Sequence, residues 1–355
     1  MTVALKDGAS RLAYHTGLLR VALGMTDPYD APPASRPFQI LVYHRVSEVL
    51  DPYLPAAPLA GFERQIRYLR RHYRVLSLTE LIRAAERREV PPRAVAVTFD
   101  DGYEATYTHA YPIIRRYEVP VTVFLATGLI DQDIGMWNDR IGLAIRDTNC
   151  ATLDGLPGSG PLPLRSAWQR QAALDQALAV LKRLPPATRD ELTAQFSRAL
   201  TVAAEQAPRL LRWWQIEEMQ RHGVEFGAHT VHHPILTCVS ADEAWREIVE
   251  SKQVIEDRLQ NPVQHFAYPN GTVRDFDDGT KALVRKAGFL SAVSMIFGAN
   301  QAGADPYDLR REWSWDEATS LFATKLWWYR RTALVGSKGR APRGNSRGCE
   351  SVSSC

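Results

Sequence analysis

The sequence predicts an α/β fold in which parallel strands alternate with helices, as in a parallel sheet or a (β/α) barrel. Short, continuously apolar runs such as Ala94–Phe99 and Val121–Leu125 are typical of strands that are covered on both faces. Apolar residues at helical spacing lie between such runs, for example at positions 62, 66, 69 and 73. With 355 residues, of which 45% are hydrophobic, the chain can fill the core of one large domain or of two smaller ones.

The predicted elements follow one another in this alternating order. Residues 1–36 are predicted to form a helix and a Pro-rich connection, and the main domain is expected to span residues 37–335. Within that domain we predict helices at residues 62–73, 81–88 and 110–117, and strands at residues 38–43, 75–78, 94–99, 121–125, 224–226, 265–268 and 291–293.

Two segments depart from the alternation. Residues 131–212 contain a Gly- and Pro-rich loop and then a long helix-favouring stretch, which predicts a helical insertion in the α/β domain. Residues 336–355 are rich in Gly, Ser and Arg and contain few apolar residues. Such a segment cannot bury enough surface to offset the entropy of ordering, so we predict a disordered tail.

The patterns of charge and hydropathy exclude several classes of protein. Forty-three Lys and Arg residues against 40 Asp and Glu residues leave a net charge of +3, and the basic residues are scattered, so a nucleic-acid partner is not expected. No apolar run approaches the roughly 18 residues of a transmembrane helix. The N-terminal segment lacks the compact apolar centre of a secretory signal, so we expect a cytoplasmic protein. Apolar residues of the predicted N-terminal helix either pack on the domain or contact a membrane surface peripherally.

Two adjacent carboxylates, Asp100 and Asp101, follow the predicted strand 94–99 and precede Gly102. The carboxyl ends of parallel strands are where α/β proteins place their active sites. Adjacent side chains of an extended segment diverge, so one Asp can bind a metal while the other faces a substrate. A turn that only caps the next helix is the alternative interpretation.

Three histidines within five residues follow another predicted strand, in the sequence His229-Thr-Val-His232-His233-Pro. Neutral imidazoles four residues apart can converge on one metal ion if the segment makes a helical turn. His232 is then expected to point elsewhere or to act through a neighbouring residue. A surface cluster of histidines without a ligand is the alternative.

Together the two motifs offer one carboxylate and two imidazoles, with open positions for water and substrate. This donor set is typical of a catalytic zinc site. The spare carboxylate, Asp100, is then the candidate general base. Four cysteines without a CxxC spacing indicate neither a zinc knuckle nor a disulfide framework.

The joint pattern of TFDDG and H-[S/T]-x-x-H-P resembles the first two motifs of the polysaccharide deacetylases, carbohydrate esterase family 4, also called the NodB-homology domain. The resemblance implies a distorted (β/α)7 barrel over about residues 38–315. It also implies a general base at Asp100 and a divalent metal, usually zinc, held by Asp101, His229 and His233.

The third family motif, R-x-P-[Y/F]-G, reads Ala267-Tyr-Pro-Asn270-Gly here, so the arginine that would orient the base is absent. Arg311 can supply a guanidinium from a later strand, and an ordinary surface arginine is the alternative. The backbone N–H of Asn270 is a candidate donor to an oxyanion hole.

The late histidine that supplies the family's catalytic acid is also absent, because no histidine follows His265. The segment Tyr43-His44-Arg45-Val46 resembles the poly-N-acetylglucosamine deacetylase branch of the family, in which an early histidine takes that role. We therefore assign the acid to His44, with a buried structural histidine as the alternative.

The expected function is metal-dependent hydrolysis of N-acetyl groups on an N-acetylglucosamine-type glycan, in exopolysaccharide or cell-envelope modification. A catalytically silent carbohydrate-binding or scaffold protein on the same fold is the main alternative. A phosphatase fits less well, because Asp-Asp-Gly does not match the Asp-x-Asp pattern of the common aspartyl-phosphate enzymes. Aromatic residues that can stack on sugar rings, or instead fill the core or surface, are Tyr103, Trp137, Trp313 and Trp315.

Overall fold

The computed structural model describes residues 31–200, 207–313 and 318–335. Its central feature is a closed path of seven parallel strands. In spatial order these are β1 (Pro37–Tyr43), β5 (Ala94–Phe99), β6 (Val121–Leu125), β9 (Glu225–Ala228), β10 (His265–Ala267), β11 (Ser291–Phe297) and β13 (Leu309–Arg311). A parallel bridge between Leu41 and Glu312 joins the two ends of the path. The predicted α/β barrel with seven parallel strands is thus confirmed.

Ten α-helices among the described residues accompany the barrel. They are α1 (Leu59–His72), α2 (Leu78–Glu86), α3 (Tyr111–Tyr117), α4 (Trp137–Asp147), α5 (Ala167–Leu181), α6 (Pro186–Ala199), α7 (Trp213–Arg221), α8 (Ala241–Leu259), α9 (Asp278–Lys286) and α10 (Thr319–Val335). Within the described ranges, no helix has both the length and the apolar character needed to cross a membrane.

Six short strands complete the architecture. A two-residue pair, β2 (Val46–Ser47) and β3 (Ala57–Pro58), follows β1, and β7 (Thr152–Leu153) pairs with β8 (Leu162–Pro163) in the segment 131–212. The remaining two pair with barrel strands: β4 (Arg74–Val75) lies parallel to β5, and β12 (Asn300–Gln301) lies antiparallel to β1.

The residues of the barrel strands explain their placement. Every residue of β1, β5 and β6 is buried, as expected for strands with the barrel interior on one face and helices on the other. The predicted strand at residues 75–78 is wrong beyond Val75. Ser77 forms a capping box with Glu80, so that α2 already begins at Leu78.

Helices α4, α5 and α6 and the β7–β8 hairpin lie in the segment 131–212, where a helical insertion is predicted. Their apolar side chains form a buried cluster of their own, which includes Ile141, Leu174, Leu181 and Phe196. The predicted N-terminal helix and the predicted tail at residues 336–355 lie outside the described residues, as does Trp315.

The buried side-chain amide of Gln39, on β1, links α10 to the barrel and also binds the buried carboxylate of Glu312. The Nε2 of Gln39 donates to Oε1 and Oε2 of Glu312, at 3.1 and 2.9 Å, and to the carbonyl of Leu326, at 2.9 Å. Nη1 of Arg330, which also lies on α10, donates to Oε1 of Gln39 at 3.4 Å. Burial raises the pKa of Glu312 to about 8.

This raised pKa predicts that the protein loses stability as pH rises. A folded-state pKa of about 8, against an ordinary value of 4.5, means that the folded state holds a proton that the unfolded state has lost between these values. The free energy of unfolding should fall there by at most about 1.4 kcal/mol per pH unit from this group. Urea denaturation of the wild type and of Glu312→Gln, between pH 5 and 9, measures the difference. Equal pH slopes for the two proteins would contradict the prediction.

Candidate metal centre

The turn after β5 points its two carboxylates in different directions. Asp101 has a backbone φ of +69° and Gly102 a φ of +78°, both in the left-handed region. The left-handed conformation favours glycine at position 102, and a Cβ there would lie 2.9 Å from Cδ2 of Leu125, which would have to shift. Strand β5 ends at Phe99, and Asp101 already lies in the turn that follows Asp100.

Asp101, His229 and His233 come together as predicted, with one potential ligand atom from each lying within 4.8 Å of the others. Oδ1 of Asp101 lies 3.5 Å from Nε2 of His229 and 3.4 Å from Nε2 of His233. Among the described residues this buried Oδ1 has no hydrogen-bond partner. A buried carboxylate oxygen without a partner is costly, and a metal ion between these donors would satisfy it. The donor set thus fits a divalent cation.

The tautomer of His229 also fits a metal ligand. Its Nδ1 lies 2.7 Å from the backbone carbonyl of Ala267, at the end of β10. A carbonyl only accepts hydrogen bonds, so the neutral ring carries its proton on Nδ1 and leaves the Nε2 lone pair free. Ala267, which stands where the family motif has arginine, thus contributes its backbone to the site.

The His229–His233 segment does not form the helical turn that its four-residue spacing suggests. Thr230 and His233 have left-handed φ values of +65° and +55°, which a helical turn excludes. The hydroxyl of Thr230 donates to the carbonyl of His229 at 2.5 Å and accepts from the N–H of His233 at 3.0 Å. This tight loop, rather than helical periodicity, turns the two outer imidazoles toward Asp101.

His232 points away from this cluster, as expected. Its imidazole is half-exposed, and its Nδ1 lies 2.7 Å from Oε1 of Glu247 on α8. The hydrogen bond to Glu247 raises the pKa of His232, against an opposing effect of burial.

Asp100 forms a buried ion pair with Arg311, which comes from β13. Nη1 and Nη2 of Arg311 lie 2.7 and 2.6 Å from the two oxygens of Asp100, in a bidentate arrangement. The guanidinium also donates to the carbonyl of Ser294 and to the hydroxyl of Thr98. Its exposure is 0%, so the alternative of a surface arginine is wrong. The guanidinium that pairs with Asp100 therefore comes from β13 and not from β10, the strand that ends at Ala267.

The ion pair decides the charge of Asp100. Burial alone would raise the pKa of Asp100, but the charge and hydrogen bonds of Arg311 lower it below its ordinary value. Burial likewise opposes ionisation of Asp101, whose pKa is nevertheless lowered by the imidazoles of His229 and His233. Both carboxylates are therefore ionised at neutral pH, and Asp100 is able to accept a proton.

His44 lies directly after β1, on the same end of the barrel. It is partly exposed, and because Tyr43 pairs with Phe99 in the parallel register of β1 and β5, His44 lies beside Asp100. Asn270 lies in the loop after β10 with a left-handed φ of +56°, three residues beyond the carbonyl that fixes His229.

The aromatic candidates for sugar stacking differ in exposure. Tyr103 is only 3% exposed, with the guanidinium of Arg45 lying 5.6 Å from its ring centroid. Trp137 is 8% exposed, at the start of α4. In this conformation neither ring has a free face for a sugar. Trp313 is 42% exposed and packs edge-on against Phe297.

Sequence reasoning missed several charged residues around the site. Asp139 of α4 is buried, lies 3.6 Å from Arg45, and burial raises its pKa to about 6. Arg189 of α6 and Glu247 of α8 make hydrogen bonds to the backbone of residues 229–233, the histidine loop. Their sequence signal is weak, because single charged residues in helices are ordinarily solvated surface.

The comparisons with known proteins agree on one family. The family model described as "Polysaccharide deacetylase" matches residues 87–292, more than half of the chain. That stretch contains Asp100, Asp101, His229 and His233, but neither His44 nor Arg311.

Among curated proteins, the chain is similar to poly-beta-1,6-N-acetyl-D-glucosamine N-deacetylases of two staphylococci. It is 37% identical to that of Staphylococcus aureus over 73 residues, which cover 20% of this chain and 25% of the relative. It is also 37% identical to the Staphylococcus epidermidis protein, over 70 residues that cover 19% of this chain and 24% of the relative. The chain thus matches only about a quarter of the length of these relatives.

Solved structures share the fold at low sequence identity. The deacetylase PplD of Streptococcus pyogenes, solved with acetate, superposes with a TM-score of 0.53 at 22% identity, covering 78% of this chain and 92% of that chain. IcaB from Ammonifex degensii gives a TM-score of 0.54 at 19% identity, covering 82% and 96%.

Proposed function

Because the chain belongs to the polysaccharide deacetylase family, we propose that it removes N-acetyl groups from an N-acetylglucosamine-type glycan by metal-dependent hydrolysis. The observation that carries the proposal is the Asp101-His229-His233 cluster beside the ion-paired carboxylate of Asp100. A glycan with N-acetylglucosamine units is the substrate class because the similar staphylococcal proteins are named for such a glycan.

The proposed reaction adds water to the carbonyl carbon of the acetamide and breaks the C–N bond, which yields acetate and a free amine. Asp101, His229 and His233 would hold a divalent cation, most simply zinc, which supplies Lewis-acid polarisation of the carbonyl and of the water. Asp100 accepts the proton from the attacking water, and Arg311 keeps this carboxylate ionised and oriented.

Two further groups complete the proposed reaction. The backbone N–H of Asn270 donates to the oxyanion that develops on the carbonyl oxygen. His44, in its imidazolium form, donates a proton to the nitrogen of the leaving amine as the C–N bond breaks. The proton taken up by Asp100 and the one given by His44 balance, so that bulk water restores both groups after each turnover.

Acetate release from N-acetylglucosamine oligomers tests the proposal. Chelator-stripped protein should be inactive, and added zinc or cobalt should restore release. His229→Ala should stay inactive with either metal, whereas His222→Ala, which changes an exposed histidine outside the cluster, should be restored like the wild type. Undiminished release by stripped protein would contradict metal dependence. Bound metal without acetate release from any N-acetylated glycan would favour the silent binding protein.

His44→Gln tests the proposed acid through the leaving group. Loss of a general acid should slow release from N-acetylglucosamine oligomers by about 10²- to 10⁴-fold, because an amine anion is a poor leaving group. An acetate ester of 4-nitrophenol needs no protonation to leave, so its hydrolysis should be nearly unchanged. The measurement compares, at pH 7, the rates of the wild type and the variant on the oligomers and on the ester. Equal losses on both substrates would contradict a role in protonation.

A further inference from the structure

A buried side chain of the helical segment at residues 131–212 contacts the histidine loop, residues 229–233. Arg189 of α6 is 3% exposed. Its Nη2 donates to the carbonyl of His232 at 2.9 Å, and its Nη1 donates to the carbonyl of His233 at 3.1 Å. A planar guanidinium presents its donors in a fixed fork, so the two bonds set the orientation of two consecutive carbonyls.

Glu247 of α8 holds the amide groups of the same loop. Its Oε2 accepts from the N–H groups of Val231 and His232, both at 2.8 Å. Its other oxygen pairs with the imidazole of His232. The loop is therefore fixed from both directions, with its carbonyls bound by the insertion and its amides bound by a barrel helix.

The loop needs such support because its conformation is unfavourable by itself. Thr230 and His233 both have left-handed φ values, a region that non-glycine residues adopt only at a cost in free energy. Such conformations persist only where the surroundings over-determine them. Arg189 binds the carbonyl of His233 itself, the residue whose imidazole faces Asp101.

We propose that Arg189 is a positioning residue of the metal centre, which directs the His233 imidazole toward Asp101 and His229. The inference rests on the proposed metal binding at this site. The helical insertion then influences the metal affinity of the site through Arg189, although it supplies none of the three ligands.

The charge of Arg189 and its hydrogen bonds to the loop have opposite expected effects on metal affinity. A guanidinium near a cation site repels the cation, so loss of the Arg189 charge alone would strengthen metal binding. If Arg189 acts instead by positioning, its loss weakens binding. The sign of the change in metal affinity therefore separates the two effects.

The experiment measures zinc and cobalt dissociation constants by competition with a chromophoric chelator, together with the visible absorption spectrum of the cobalt-loaded protein. Arg189→Met should weaken metal affinity by about 10- to 100-fold, the usual effect of losing a residue that orients a ligand. It should also change the cobalt spectrum. Arg189→Lys keeps the charge and can reach one carbonyl, so its affinity should lie between those of Arg189→Met and the wild type.

Arg170→Met is the matched control. Arg170 of α5 donates to the carbonyls of Ile145, Arg146 and Thr148, at 2.7, 2.7 and 2.8 Å, within the same insertion and away from the ligand loop. This variant should melt at a lower temperature and keep wild-type metal affinity and cobalt spectrum. If Arg189→Met proves insoluble, Arg189→Lys carries the same comparison.

Three outcomes overturn the inference. Wild-type metal affinity with an unchanged cobalt spectrum in Arg189→Met and Arg189→Lys would show that Arg189 does not position the ligand. Tighter binding in Arg189→Met would show that its charge is the dominant effect. Equal weakening in Arg170→Met would show a general effect of destabilising the insertion. Failure of the wild type to bind any divalent metal would instead overturn the proposed function.

Discussion

Replacing Asp100 with Asn is expected to abolish acetate release and leave metal binding intact. Asn keeps the size of the side chain but cannot take a proton from water, so turnover should fall by at least about 10²- to 10⁴-fold. The metal should remain, because the donor atoms come from Asp101, His229 and His233. Acetate release and bound zinc, measured on the same preparation of variant protein, make the test.

The neighbouring carboxylate provides the control. Asp101→Asn removes a charged metal ligand, so it should lose bound metal and activity together. The two adjacent substitutions thus have different signatures, although both remove one negative charge from the same turn. Loss of metal from Asp100→Asn, or substantial turnover with metal bound, would contradict the assignment of Asp100 as the base.

The sequence predicted the part of the site that local order determines. Asp100, Asp101 and the histidine pair each follow the end of a buried parallel strand, and the carboxyl ends of such strands meet at one end of a barrel. Their convergence therefore follows from the strand pattern alone. The conformation of the histidine loop does not, because its left-handed residues are Thr230 and His233 rather than glycine.

Contacts between distant segments were harder to predict. Arg311 lies 211 residues after Asp100, on a strand of only three residues, so the sequence left it as one of two alternatives. Arg189 and Glu247 were missed because a side chain that binds backbone groups needs no particular residue type in its partner. Any sequence in the loop offers the same carbonyls and amides, so no pairing is visible in the residues themselves.

Replacing Arg311 with Met is expected to destabilise the protein strongly. The change leaves the buried carboxylate of Asp100 without its cation, which costs about 3 to 5 kcal/mol of unfolding free energy. Activity should also fall, because Arg311 orients the base. Urea denaturation at pH 7 measures the stability, and Arg116→Met is the control. Arg116 pairs with Glu63 at 2.9 Å on the exposed surface, where such a pair contributes about 1 kcal/mol or less.

The double variant Asp100→Asn with Arg311→Met separates the two roles of the pair. It removes both buried charges, so it should be more stable than Arg311→Met alone, yet it should remain inactive. A strong coupling free energy is expected because the two groups share both hydrogen bonds of the bidentate contact. Additive stability losses would show that the ion pair is not formed in solution. In the proposed reaction, a carboxylate that is held ionised by a fixed guanidinium can act as the base without rearrangement when the substrate arrives.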